Sequence, residues 1–270
     1  GQSVNETFTV RVTDDFGAMA DQTVTVTING SNDLAIVTNL DAAKAGEVTE
    51  AGKTDAGTIV PGTSSVVGTL SVSDVDANTT QTWTIVGTPS ATYGTFTVDA
   101  ATGEWTYVLD NSLDTTQGLT EGQTEFQTYV VRATDDQGAM VDQTVTITLK
   151  GTNDAPVINN SDAAKVGSVT EAGTGVAGTA IVSGTLTSTD VDADATKAWT
   201  VVGTPSATYG SFAVNASTGV WTYVLNNNLA TTEALKTGQS VNETFTVRVT
   251  DDFGAMADQT VTVTINGSND

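Results

Sequence analysis

The 270-residue chain contains neither cysteine nor histidine. Their absence removes disulfides, thiol chemistry, the usual zinc and copper sites, and the most common general base of enzymes. Positive charge is nearly as scarce, with nine Lys and Arg against 32 Asp and Glu, for a net charge of -23. That balance argues against nucleic acid and anionic membrane surfaces as partners, since both would repel the chain. Cations are the natural counterpart. No apolar run approaches the about 20 residues needed to span a bilayer, and residue 1 opens inside a motif rather than with a charged start and apolar core, so no signal peptide is expected in this stretch. The acidity does not read as a disordered tail, because only 15% of residues are charged and 38% are hydrophobic, on a background rich in Thr and Val.

Repetition dominates what remains. Gly1 to Asp33 recurs residue for residue as Gly238 to Asp270. A diverged copy lies between them, where Tyr129 to Asp154 matches Phe8 to Asp33. DAAKAGEVTEAG at 41–52 returns as DAAKVGSVTEAG at 162–173, and TIVGTPSATYGTFTVDAATGEWTYVL at 84–109 as TVVGTPSATYGSFAVNASTGVWTYVL at 200–225. The offsets of 121 and 116 between these pairs give a period the size of a domain rather than of a solenoid repeat. Boundaries placed after Gly-Ser-Asn-Asp and at Gly-Thr-Asn-Asp give units 34–153 and 154–270, preceded by residues 1–33 as the closing strands of an earlier repeat. So short a leading piece is too small to fold alone, and is expected as a hairpin propped by a neighbour, or as the sign of a permuted boundary.

Inside a unit the pattern alternates with period two. Phe8, Val10 and Val12 oppose Thr9, Arg11 and Thr13, while Val24, Val26 and Ile28 oppose Thr23, Thr25 and Thr27. Further short segments end at Trp83, Phe96 and Tyr107, divided by turn signals, and no helical period is sustained. About seven strands per unit predict an all-β chain of tandem Greek-key β-sandwiches, cadherin- or immunoglobulin-like, joined end to end by short linkers. Trp105, Tyr107, Trp221 and Tyr223 read as core rather than as a sugar-stacking platform, and the Thr-Val-Thr run at 23–27 as the wet face of a strand. Arg11, Arg132 and Arg248 read as surface ion-pair partners.

Acidic side chains gather between the strands. Asp74-Val75-Asp76-Ala77-Asn78 is matched by Asp190-Val191-Asp192-Ala193-Asp194. An Asp-Asp-x-Gly turn falls at Asp14/Asp15, Asp135/Asp136 and Asp251/Asp252, and an Asn-Asp pair at Asn32/Asp33, Asn153/Asp154 and Asn269/Asp270. A lone Glu follows in Val-Thr-Glu-Ala-Gly, at Glu50 and Glu171. Hard divalent cations take six to eight oxygen ligands, which alternate residues of an extended loop can supply. Three such clusters in every unit, with almost no Lys or Arg beside them in sequence, point to calcium, because repulsion left uncompensated would destabilise the fold.

Read in order, Glu50, Ser73-Asp74-Val75-Asp76-Ala77-Asn78, Arg132-Ala133-Thr134-Asp135-Asp136-Gln137-Gly138 and Gly151-Thr152-Asn153-Asp154-Ala155-Pro156-Val157 resemble the cadherin-like repeats, specifically the VCBS-type extender repeats of giant bacterial RTX adhesins. The resemblance covers essentially the whole chain. It implies calcium at the junctions between domains, held by a Glu of one domain, the Asn-Asp linker, and the Asp-x-Asp and Ala-x-Asp-x-Gly aspartates of the next. Carried over by position, the first junction uses Asn32, Asp33, Asp74, Asp76 and Asp135. The central junction uses Glu50, Asn153, Asp154, Asp190, Asp192 and Asp251, and Glu171 with Asn269 and Asp270 are the matching residues at the far end. The family's Asp-Arg-Glu element has no clear match; Leu119-Thr120-Glu121 stands nearest, and the next unit reads Leu235-Lys236-Thr237. Asp15, Asp136, Asp252, Asp21, Asp142 and Asp258 remain open between ligands and turn formers.

These observations lead to a structural spacer, stiffened by calcium through contacts with neighbouring repeats, on a secreted or bacterial cell-surface protein whose distal domain it projects. An adhesive repeat binding glycan or protein is the competing expectation. An enzyme is not expected, because the carboxylates recur in every unit at metal-like spacing.

Overall fold

The computed structural model describes all of the chain except residues 55–57, 206–207 and 270. Two β-sandwiches of the same topology follow a leading hairpin. In the first sandwich a four-stranded sheet runs Ala45–Thr49, Met140–Lys150, Thr124–Asp135, Gln81–Ile85, and a three-stranded sheet runs Gly94–Val98, Glu104–Leu109, Ser65–Thr69. Ala45–Thr49 lies parallel to its neighbour, with Thr146 opposite Ala45, while the other main pairings are antiparallel. The second sandwich repeats this with sheets Val166–Thr170, Met256–Asn266, Ser240–Asp251, Lys197–Val201 and Ile181–Thr185, Val220–Leu225, Gly210–Val214. The expectation of tandem all-β sandwiches holds. Among the described residues no helix is long and apolar enough to cross a membrane.

Each sandwich closes over its own core because the alternation seen in sequence turns one row of side chains inward. Tyr129, Val131 and Ala133 are buried together with Val145, Ile147 and Leu149 of the neighbouring strand, and Trp105, Tyr107 and Phe96 come from the facing sheet. The second core repeats these positions with Phe245, Val247, Val249, Val261, Val263, Ile265, Trp221, Tyr223 and Phe212. Phe96 stacks on Tyr129 at 4.2 Å between ring centres, as does Phe212 on Phe245. Trp105 reaches across to donate its indole N–H to the carbonyl of Ala43 at 2.9 Å, which satisfies the one polar group it buries. Gly68 lies against that indole, where an added Cβ would stand 2.5 Å from the ring, so only glycine lets strand and ring approach this closely. All four aromatics considered for sugar stacking are therefore fully buried in the cores.

The leading hairpin pairs Ser3–Thr13 with Met19–Asn29 in the register of the closing hairpin Ser240–Asp251 and Met256–Asn266. Among the described residues no second sheet packs against its apolar row. Phe8 is 50% exposed where the identical residue Phe245 is 3% exposed.

Candidate functional site

The hairpin turn between the last two strands of each sandwich supplies the first oxygen of the site. Asp135 Oδ1 accepts the backbone N–H groups of Gln137 and Ala139 at 2.9 and 2.8 Å, and Gly138 takes φ +91° to let the chain turn back. Asp251 does the same for Phe253 and Ala255, with Gly254 at φ +95°. One carboxylate oxygen is thus committed to the turn, and the other is left to point out of the domain's end. There it meets the linker. Asn32 donates its side-chain amide to Asp135 Oδ2 at 3.0 Å, and Asn153 donates to Asp251 Oδ2 at the same distance. The Asn32 bond holds the Asp135 carboxyl below the ordinary carboxylate range.

The Asp-Val-Asp loops add the next pair. Asp76 N–H donates to Asp74 Oδ1 at 2.9 Å and Asp192 N–H to Asp190 Oδ1 at 3.2 Å, closing an Asx turn in each unit. Asp76 and Asp192 then accept the backbone N–H of the linker aspartate, from Asp33 at 2.7 Å and Asp154 at 2.9 Å. The third member of each triplet, left out of both expected ligand sets, has a different part. Asn78 and Asp194 sit in the left-handed region, at φ +63° and +58°, and are exposed. They turn the chain, a conformation Asn and Asp tolerate better than other residues.

Glu50 brings in the preceding domain. It follows the strand Ala45–Thr49 and is 0% exposed, accepting the Gln117 side-chain amide at 3.0 Å on Oε1 and the Thr152 N–H at 3.4 Å on Oε2. Burial, with Asp154 and Asp192 adding like charge against the opposing Thr152 bond, pushes its carboxyl up to about 8. Burial likewise raises Asp192 to about 6 and lifts Asp154 and Asp190. At the central joint Glu50, Asn153, Asp154, Asp190, Asp192 and Asp251 are brought together from two sandwiches and the linker between them. Gly118 in the first sandwich also accepts the Ala193 N–H at 3.3 Å. Glu121, exposed at the same end, accepts the Asn153 N–H at 3.3 Å.

These side chains leave oxygens without partners. Both carboxylate oxygens of Asp154, 1% exposed, accept no hydrogen bond, and neither does Asp190 Oδ2, Asp192 Oδ1 or Asn153 Oδ1. Asp74 Oδ2 is the counterpart at the first joint, where Asn32 and Asp33 are exposed. Buried oxygens of this kind are costly unless a cation or donor meets them, and an all-oxygen, mostly anionic donor set fits a hard divalent ion. Among the described residues, no three carboxylates stand close enough together to hold an ion as placed. At the far end Glu171 is fully buried, accepts the Ser268 N–H at 3.0 Å on Oε2 and leaves Oε1 unpartnered. Asn269 is exposed, with its carbonyl accepting the Thr174 N–H at 2.7 Å, and Asp270 lies outside the described residues.

Three aspartates leave the ligand candidates. Asp21, Asp142 and Asp258 face Arg11, Arg132 and Arg248 across their hairpins in two-bond pairs of 2.7 and 2.8 Å. Asp252 accepts the Thr196 N–H at 3.2 Å and so braces the loop after the Asp-Val-Asp turn. Two residues of the joint were hidden from sequence reading, Gln117 and Lys53. Lys53 Nζ stands 3.6 Å from Asp154 Oδ1, so the cluster is not free of positive charge as its sequence neighbourhood suggested. Neither has a motif of its own, and only the fold brings them near residues 67 and 101 positions away in the chain.

Residues 153–267 match a family described as the bacterial cadherin-like domain. The second sandwich has a cadherin-like fold, and the first repeats its strand order. The matched span starts at the linker Asn153 and runs to Gly267, so it takes in the second sandwich with its junction aspartates. Comparison with curated protein sequences finds no match. Among solved structures, mouse cadherin-23 EC22-24 is 15% identical over 98% of this chain and 74% of its own length, with a TM-score of 0.43. The protocadherin PcdhgB3 EC1-4 is 11% identical over 98% of this chain and 66% of its own, at 0.48, and Drosophila N-cadherin EC1-4 is 14% identical over 98% and 58%, at 0.33. The chain thus spans about two thirds or less of the last two proteins.

Proposed function

We propose that this chain is a run of calcium-rigidified extender repeats in a large secreted or cell-surface adhesin of the VCBS-type RTX kind, spacing a distal binding domain away from the cell. Cadherin-like domains are non-enzymatic, extracellular structural and adhesion modules, and the proposal gives this one the structural role. The repeats run from 34 to 153 and from 154 to 270, with 1–33 as the closing hairpin of a repeat. The observation that carries the reading is the set of oxygens on Asn153, Asp154, Asp190 and Asp192 that accept no hydrogen bond, buried where two sandwiches and their linker meet.

Calcium would supply the positive charge and the six to eight oxygen contacts that such a set lacks. The residues of the chain do the rest. Asp251 holds the linker through Asn153, Asp192 holds it through the Asp154 N–H, and Glu50 belongs to the preceding domain, so whatever draws these oxygens together also fixes the angle between sandwiches. Extracellular modules of this class bind calcium at about 10⁻⁴–10⁻³ M, so the joints would stiffen outside the cell and stay loose inside it. Titrating the protein with calcium by isothermal calorimetry tests this. Binding in that range is expected, with Asp192→Asn removing one class of sites while the first joint still binds. No heat up to 10-fold above it, or an unchanged isotherm in the variant, contradicts the reading.

A further inference from the structure

Lys53 is placed where a lysine is least expected. It stands three residues after Glu50, and its backbone N–H donates to the carbonyl of the linker residue Asn153 at 3.2 Å. The same position in the second unit is Thr174, whose N–H donates to the carbonyl of Asn269 at 2.7 Å. The backbone clamp is therefore common to both units, and the side chain is what differs. At the central joint that side chain carries an ammonium to 3.6 Å from Asp154, the carboxylate with no hydrogen bond on either oxygen. Other lysines are engaged elsewhere, Lys150 with Glu47, Lys44 with Asp41 and Lys165 with Asp162.

We propose that Lys53 is a tethered counter-cation of the central joint, competing with a divalent ion for Asp154 and so making this joint bind metal more weakly than a joint with threonine at that position. The inference rests on the calcium reading above. Its physical basis is charge. A single ammonium partly offsets the buried carboxylate when metal is absent, which steadies the metal-free joint. When a divalent ion approaches, the same ammonium repels it and must withdraw. The Lys53 side chain is 41% exposed, and its flexible four-carbon stem gives it a way out to solvent. Joints of one array then fill at different calcium concentrations, graded by one residue. Removing a unit positive charge within a few ångströms of the site tightens divalent binding by about 10-fold.

The test compares the full chain with Lys53→Thr and Lys53→Arg, by calcium calorimetry and by thermal melting in chelator. Threonine is the natural occupant of the equivalent position, so the fold tolerates it. The expected result is about 10-fold tighter calcium binding in one class of sites for Lys53→Thr, wild-type affinity for Lys53→Arg, and a lower melting temperature for Lys53→Thr in chelator only. Calcium binding that is equal in all three proteins overturns the role of Lys53 and leaves the calcium reading standing. Calcium binding by none of them overturns both.

Discussion

At the residue scale, the joint is a set of carboxylates held in an environment that disfavours their charge. Glu50 carries the clearest consequence. Its folded value of about 8 lies above the ordinary 4.5, so the folded metal-free protein binds this proton more tightly than the unfolded chain. The resulting stability is fully present below pH 4.5 and is lost as pH rises through 8, with Asp192, raised to about 6, acting in the same direction. The aspartates held low by hydrogen bonds or arginines, such as Asp135 and Asp142, act oppositely, but only as pH falls into the ordinary carboxylate range. Melting in chelator should therefore fall between pH 5 and pH 8. Glu50→Gln should flatten that fall, melt higher than wild type at pH 8 without metal by on the order of 1–3 kcal/mol, and gain less from added calcium. Parallel pH profiles for the two proteins would contradict the assignment of Glu50 as a buried, charge-stressed member of the joint.

The hairpin is the element whose packing differs while its sequence stays constant. Residues 1–33 and 238–270 have one sequence and two environments. In the second sandwich, Phe245 packs at 4.2 Å on Phe212 and the valines beside it are fully buried, whereas Phe8, Val10 and Val12 of the leading hairpin stand open. The fold follows from the facing sheet, since a lone two-stranded hairpin has no second layer to bury its apolar face. Phe245→Ala should cost about 3–5 kcal/mol in denaturant unfolding, while Phe8→Ala costs close to nothing. A large loss from Phe8→Ala would mean that the hairpin face is covered in solution. Much of this level was legible beforehand. Strict alternation at Phe8, Val10 and Val12 and at Val24, Val26 and Ile28 defined the strands, and the doubled Asp-x-x-Gly defined their turn. The left-handed residues Asn78 and Asp194 were not legible, because the spacing of Asp-x-Asp-x-Asp/Asn is the same whether its last member points inward or turns the chain.

For the whole molecule, the decisive feature is that each joint draws residues from far apart in the chain. Asp154 meets Asp192 and Asn153 meets Asp251, 38 and 98 residues away, and the closing aspartates of one sandwich meet the linker that leaves the one before. The recurring Asn-Asp, Asp-x-Asp and Asp-Asp-x-Gly elements were legible as acidic clusters, and the resemblance to cadherin-like repeats implied which of them share a joint. Lys53 and Gln117 arrive at the same place only through folding, from positions where the two units differ: Thr174 and Glu233 stand at the matching places of the second. A repeat array of this design keeps a common frame and varies the lining of each joint. In the proposed spacer role, stiffness is the property that the common frame would serve. Small-angle X-ray scattering of the full chain, in calcium and in chelator, measures it directly. The account predicts a longer maximum dimension and a narrower, more rod-like distance distribution with calcium, and matching profiles in the two solutions would contradict it.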